Sequence, residues 1–183
     1  MKVKRVVTGR NASGESVFVS IGDAPRTHDL QHIPGMALTQ LWSTPASPSL
    51  DVRISDPTAQ QSSVLPDVGG TQLMVVAFPP DRVMMSPSFN AAAAVEEHLR
   101  HAPGLAEKFE PDNPGMHTTD TIDYGIVLRG EITLELDAGR VEHLHAGDVV
   151  VQNGTRHAWR NPGEEVALVA FVMIGAARKQ RPR

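Results

Sequence analysis

The chain contains no cysteine among its 183 residues. That absence excludes disulfides, thiolate zinc sites, iron–sulfur clusters and cysteine nucleophiles together. Any metal would have to be held by imidazole, carboxylate or hydroxyl groups, a donor set suited to iron, manganese, nickel or zinc. Long apolar runs are missing as well: nothing approaches the ~20 consecutive residues of a membrane helix. The stretch Met1 to Thr8 is too poor in apolar residues to read as a signal peptide. Excess positive charge is also absent, with 17 Lys and Arg against 21 Asp and Glu and a net charge of −4. That balance disfavours nucleic acid as a partner. The one basic concentration, Arg178 to Arg183, reads as a solvated, frayed terminus. The expectation is a soluble, cytoplasmic protein with neither nucleic acid nor membrane as partner.

What remains is an ordinary globular composition, 40% hydrophobic and 21% charged, enough for one domain with a generous extension. Val3 to Thr8 and Ser16 to Ser20 are β-rich runs around a turn-forming stretch, which predicts an N-terminal hairpin. Asp23 to Gly35 reads as loop, Met36 to Ser43 as a strand carrying Trp42, and Thr44 to Gly70 as a long surface excursion that a second subunit would order. Thr71 to Phe78 is a strong strand stopped by Pro79-Pro80. Asn90 to Arg100 is a helix capped by Asn90 or Ser88 and ended by Pro103-Gly104. Its Val95 and Leu99 offer an apolar stripe, as a lid or, more simply, as a helix packed outside a sheet.

After Gly115 the texture changes. Tyr124 to Leu128, Glu131 to Leu136, Arg140 to His145, Val149 to Gln152 and Val166 to Ile174 are β-type runs punctuated by glycine-containing turns, the pattern of a sandwich or barrel. Within it, His117, Thr119, Thr121 and Asp123 share one strand parity, and His157, Trp159 and Asn161 share another. If the apolar partners pack elsewhere, these polar groups converge inside. Two imidazoles and a carboxylate are the donors of an open metal site. Taken singly, each has a plainer reading: His117 at a strand start, His157 bonded to backbone in a turn, Asp123 bridged to Arg129 or Arg156. His143 and His145 also have a His-x-His spacing, but alternation turns Leu144 inward and both rings toward solvent.

The spacing of these residues resembles the cupin superfamily. Its first motif runs His, one residue, His, three or four residues, Glu, six residues, Gly; here His117, Thr119, Asp123 and Gly130 occupy those positions. The second motif is filled by Gly147, Gly154, His157 and Asn161, with Gln152 where proline is usual. The resemblance covers Gly115 to Asn161 and the strand after it. It implies an all-β fold, a double-stranded β-helix or jelly-roll barrel, with an N-terminal β extension and one inserted helix. The expected division is an extension over 1–110, a barrel core over 111–177 and a basic tail over 178–183.

The same resemblance implies His117, Asp123 and His157 as ligands of a divalent transition metal (iron, manganese, nickel or zinc). It places Thr119 where a histidine is lost. Asp123 and His157 are candidate catalytic groups. Tyr124 is either a general acid at the cavity wall or a packing residue at the rim. Arg156 is a candidate clamp for a substrate carboxylate, ahead of Arg129. Trp159 is either core or a substrate platform, and Thr119 faces the ligand. The function implied is a metal-dependent enzyme acting on a small polar or aromatic metabolite; the alternative is a non-catalytic small-molecule-binding domain without metal. A homodimer is expected, because the N-terminal strands need a sheet edge to pair with.

Overall fold

The computed structural model describes residues 1–50 and 55–179. Eleven strands and one α-helix are present among them. β1 (Lys4–Arg10) and β2 (Ser16–Asp23) form the expected hairpin, a two-stranded sheet of its own. β3 (Arg26–Asp29), β4 (Ala37–Thr44) and β5 (Thr71–Phe78) come next, then α1 (Ala91–His101). The rest is β6 (Thr121–Arg129), β7 (Glu131–Glu135), β8 (Val141–His145), β9 (Val149–Asn153), β10 (Ala158–Arg160) and β11 (Ala167–Gly175). Six strands make one antiparallel sheet in the order β3-β4-β5-β11-β6-β9, and β10-β7-β8 make a second. The two sheets remain separate rather than closing into one ladder, so the double-stranded β-helix takes its open jelly-roll form.

The core lies between the sheets. Leu38, Met74, Val76, Val127, Val169, Phe171 and Met173 from the larger sheet meet Ile132, Leu134 and Leu144 from the smaller. Each such burial contributes about 1.5–3 kcal/mol. Strand alternation decides which side chains enter. On β6, Thr121, Asp123, Gly125 and Val127 are buried, while Tyr124 and Leu128, of the opposite parity, are exposed. The strands assigned to an N-terminal extension supply three of the six strands of the larger sheet, and β5 pairs with β11 along its whole length.

Three readings of the N-terminal half need correction. β3 falls in the stretch read as loop, because Arg26 to Asp29 carries no apolar alternation and forms only against β4. The excursion from Thr44 to Gly70 is not wholly at the surface: Thr58 and Val64 are buried, and residues 51–54 lie outside the described residues. α1 is capped as expected, the Asn90 side-chain oxygen accepting the Ala93 N–H at 3.1 Å. Its buried side, however, is Ala94 and Glu97, with Val95 and Leu99 exposed. Burial alone would raise the Glu97 pKa. Hydrogen bonds from the N–H groups of Gln31 and His32, both 2.8 Å, hold it below the ordinary value. That ionic contact, with Ala94 against Leu30 and Ile33, sets the helix rotation.

β11 ends at Gly175, whose N–H donates to Gly70 O at 2.9 Å and whose carbonyl accepts from Gly69 at 2.8 Å. A Cβ there would collide with the Asp67 carbonyl. Gly175→Ala is therefore expected to destabilise the protein by about 1–3 kcal/mol, read as a lower urea midpoint at unchanged slope; an unaltered midpoint would show that this junction yields freely. No helix among the described residues is long and apolar enough to cross a membrane.

Candidate active site

His117 and His157 sit side by side because their backbones exchange both hydrogen bonds of an isolated antiparallel bridge, His117 N–H to His157 O at 2.9 Å and the reverse at 3.0 Å. Their ring centroids are 4.3 Å apart, and both residues are buried. Each ring is oriented locally: Nδ1 of His117 donates to Gly115 O at 3.0 Å, and Nδ1 of His157 to Thr155 O at 2.9 Å. Burial lowers the pKa of His117, while burial together with the neighbouring His117 pushes His157 down to about 4. Both rings are therefore neutral at physiological pH. With Nδ1 holding the proton, each Nε2 keeps an unprotonated lone pair.

Gln152, which the register places opposite Asp123 on β9, anchors the turn leading to His157. Its amide donates to Thr155 Oγ1 at 2.7 Å and Thr155 O at 3.3 Å.

Asp123 belongs to a buried row crossing the inner face of the larger sheet: Ser43, Gln72, Met173, Asp123 and Gln152 stand opposite one another on successive strands. Its Oδ1 has no hydrogen-bond partner among the described residues, and neither has the side-chain amide of Gln72. Burial raises the Asp123 pKa to about 6, the Thr121 hydroxyl offsetting only part of the effect. Two positions along the strand, Gly125 is where a Cβ would meet Phe171 at 3.3 Å and Trp159 at 3.5 Å. Trp159 in turn lies edge-on to His157 at 6.2 Å and to Phe171 at 5.4 Å. An aromatic wall thus runs between the imidazoles and the strand that carries the carboxyl.

The expected residues divide accordingly. His117, Thr119, Asp123 and His157 are buried, and Trp159 lies against His157. Tyr124 is not part of the site: as the immediate neighbour of Asp123 on β6 it faces the opposite side and is 41% exposed. Arg156 is not a free clamp either. It grips Glu110 through two bonds of 2.6 and 2.7 Å and reaches Asp137 at 2.8 Å. Asn161 binds Phe78 O, Glu165 O and the Gly163 N–H, a turn-holding role. His143 and His145 face solvent, as alternation predicts.

The expected three-ligand metal set does not fit. No group of three or more His, Asp or Glu among the described residues is gathered closely enough to hold an ion. The two imidazoles stand together, but Asp123 does not complete a cluster with them.

Several residues near the site are not anticipated by the sequence. Phe109 lies edge-on to His117 at 4.9 Å and is itself met by His98 from α1 at 5.8 Å. Arg178, expected in a frayed tail, donates to Thr119 O, Gly154 O and Asp120; residues 180–183 of that tail lie outside the described residues. Gln72 carries a legible signal, since it shares parity with Met74 and Val76 on a strand whose inner face is otherwise apolar. Phe109 and Arg178 carry none.

The sequence is similar to that of known proteins. Residues 107–174 match the Cupin_2 family, described as a cupin domain. Oryzines biosynthesis cluster protein J of Aspergillus oryzae is 36% identical over 98 residues, covering 52% of this chain and 51% of that protein. Phomopsin biosynthesis cluster protein C' of Diaporthe leptostromiformis is 61% identical over 46 residues, 25% of this chain and 24% of that protein. The Neurospora crassa cupin-domain-containing oxidoreductase srdD is 26% identical over 162 residues, 87% of this chain and 67% of that protein. The matched segments thus span about half the length of the first of these relatives and a quarter of the second.

Proposed function

From a chain that belongs to the cupin superfamily through residues 107–174, we propose an enzyme of small-molecule metabolism whose reaction runs on proton transfer by Asp123, with the neutral imidazoles as hydrogen-bond acceptors for the ligand. The observation that carries the reading is the buried Asp123 carboxyl, pushed up to about 6 with one oxygen unpaired, on the inner face that also lies against Trp159. A carboxyl with that pKa releases and recovers a proton near neutrality, which is what general acid–base catalysis requires. His157, neutral with its Nε2 lone pair free, is suited to accept a hydroxyl hydrogen bond. The neighbouring His117, together with burial, makes a positive charge on His157 unfavourable, so the ring stays a neutral acceptor. Relatives named as oxidoreductases and as biosynthesis-cluster proteins favour an enzyme over a passive binding domain.

The test is turnover of a pooled metabolite extract of Aspergillus oryzae by purified protein, monitored by mass spectrometry with and without a chelator. At least one mass should change with wild-type protein, survive chelation, and slow by about 100-fold or more in His157→Gln. Activity lost to the chelator and restored by a divalent ion would overturn the metal-free reading.

The proposal extends to a homodimer. The hairpin presents Val6, Phe18 and Ile21 outward at 48%, 68% and 57% exposure, and a two-stranded sheet alone is marginal in water. Light scattering at micromolar concentration is expected to give twice the chain mass, falling toward 19.8 kDa in Phe18→Asp; a monomeric wild type would contradict it.

A further inference from the structure

The two segments that carry the imidazoles are joined by a residue that comes after the last strand. β6 and β9 pair as far as Ile122 and Asn153, and the two segments meet again only at the isolated His117–His157 bridge. Between those points, among the described residues, no backbone hydrogen bond joins 118–121 to 154–156. What spans the gap is Arg178, whose Nη2 donates to Thr119 O at 3.0 Å and to Gly154 O at 3.1 Å. Two carbonyls cannot bond one another, but a guanidinium nitrogen carries two hydrogens in a fixed plane and satisfies both.

The guanidinium is itself held in place. Its Nε donates to Asp120 at 2.6 Å, and the Ala176 N–H donates to Asp120 O at 2.9 Å. The chain leaving β11 is thus tied to the 118–121 segment before Arg178 reaches across. Gly154 closes from the other side with φ at +57°, where a Cβ would come within 3.1 Å of Thr119 O and 3.4 Å of Arg178 Nη2. The Arg178 and Asp120 side chains are both more than half exposed, and an ion pair so exposed contributes little. The bonds to the two carbonyls carry the connection. Thr119 stands two residues from His117, and Gly154 three from His157.

We propose that Arg178 is a positioning residue for the imidazole pair, its guanidinium fixing how the two histidine-bearing segments close on each other. It acts through the backbone of Thr119 and Gly154. That role rests on the reading of the imidazoles as acceptors for the ligand, and it makes the chain beyond β11 part of the site's construction.

Amide hydrogen exchange of the full chain, followed by NMR at His117 and His157, is the test. Each of these amides donates across the bridge, so their protection reports whether the two segments stay closed. In Arg178→Gln both should exchange at least about ten-fold faster, the fold-change of roughly one lost hydrogen bond. Amides of the β5–β11 ladder should keep their wild-type rates. Asp120→Asn, which retains an acceptor for Nε, should leave the bridge amides within about three-fold of wild type.

Unchanged bridge amides in Arg178→Gln would overturn the proposal. So would an equal acceleration in Asp120→Asn, which would place the effect in the ion pair. Acceleration of the bridge and ladder amides together would mean a general loss of stability, and would overturn it too. The Asp123 midpoint is measured on the wild-type protein, so the acid–base reading succeeds or fails separately from each of these results.

Discussion

Replacing Asp123 with asparagine is expected to make the protein more stable at pH 7.5 and to remove its turnover. The folded carboxyl titrates at about 6 against 3.8 for an ordinary aspartate. Between those two values the folded state holds the proton that the unfolded state has released. Stability therefore falls as pH rises through this window and stays reduced above it. About two pKa steps correspond to roughly 3 kcal/mol at pH 7.5, and Asn avoids the ionisation altogether. The advantage of Asp123→Asn should vanish below about pH 4, where both states of the wild type are protonated. Turnover should drop by about 100-fold or more, since the amide cannot carry a proton between groups. Urea denaturation at pH 7.5 and pH 4 reads the first effect. A variant less stable than wild type at pH 7.5 would contradict it.

His157→Gln should reveal the opposite slope. His157 is neutral in the fold, with a pKa of about 4 against 6.5 for a free imidazole. The unfolded chain binds its proton first as pH falls, so stability is lost between about 6.5 and 4, amounting to roughly 3 kcal/mol. In the wild type the two groups largely cancel: acidification relieves the buried carboxyl while it burdens the buried imidazole. Each single variant unmasks the other group. His157→Gln should gain relative stability on acidification from pH 6.5 to 4, and Asp123→Asn should lose it. His157→Gln also loses the bond to Thr155 O, so it should start below wild type at pH 7.5 by about 1 kcal/mol. Parallel pH profiles for the two variants would show that these groups are not buried as described.

The parts of the fold legible in the sequence are those with local periodicity. The β6 to β11 region carries alternation and glycine turns, so β6, β7, β8, β9 and β11 can be read within a few residues, and the Asn90 cap needs only a side chain three residues from its partner. β10 is missing from the β-type runs, although His157, Trp159 and Asn161 share a strand parity, because its three residues, Ala158 to Arg160, are few and are held by pairing with β7. The helix face is misleading because its apolar stripe is visible in the sequence. The partner of Glu97, a pair of backbone N–H groups more than 60 residues away, is not.

The site divides along the same line. Strand parity brings His117, Thr119 and Asp123 inside, and the same rule, applied to the next residue, places Tyr124 outside. Arg156 looks available because Glu110 and Asp137 are 46 and 19 residues distant in the chain. Spacing makes three ligands look convergent, yet spacing does not fix where the isolated His117–His157 bridge lies relative to Asp123 on β6.

At the centre of the proposed chemistry is a buried carboxyl poised near neutrality on the inner face of the larger sheet. It is tested most directly by ¹³C NMR titration of the side-chain carboxyl of Asp123, assigned by its disappearance in Asp123→Asn. The expected midpoint is near pH 6. A midpoint at or below 4 would mean that the carboxyl is solvated or paired, and would contradict the proposed acid–base role.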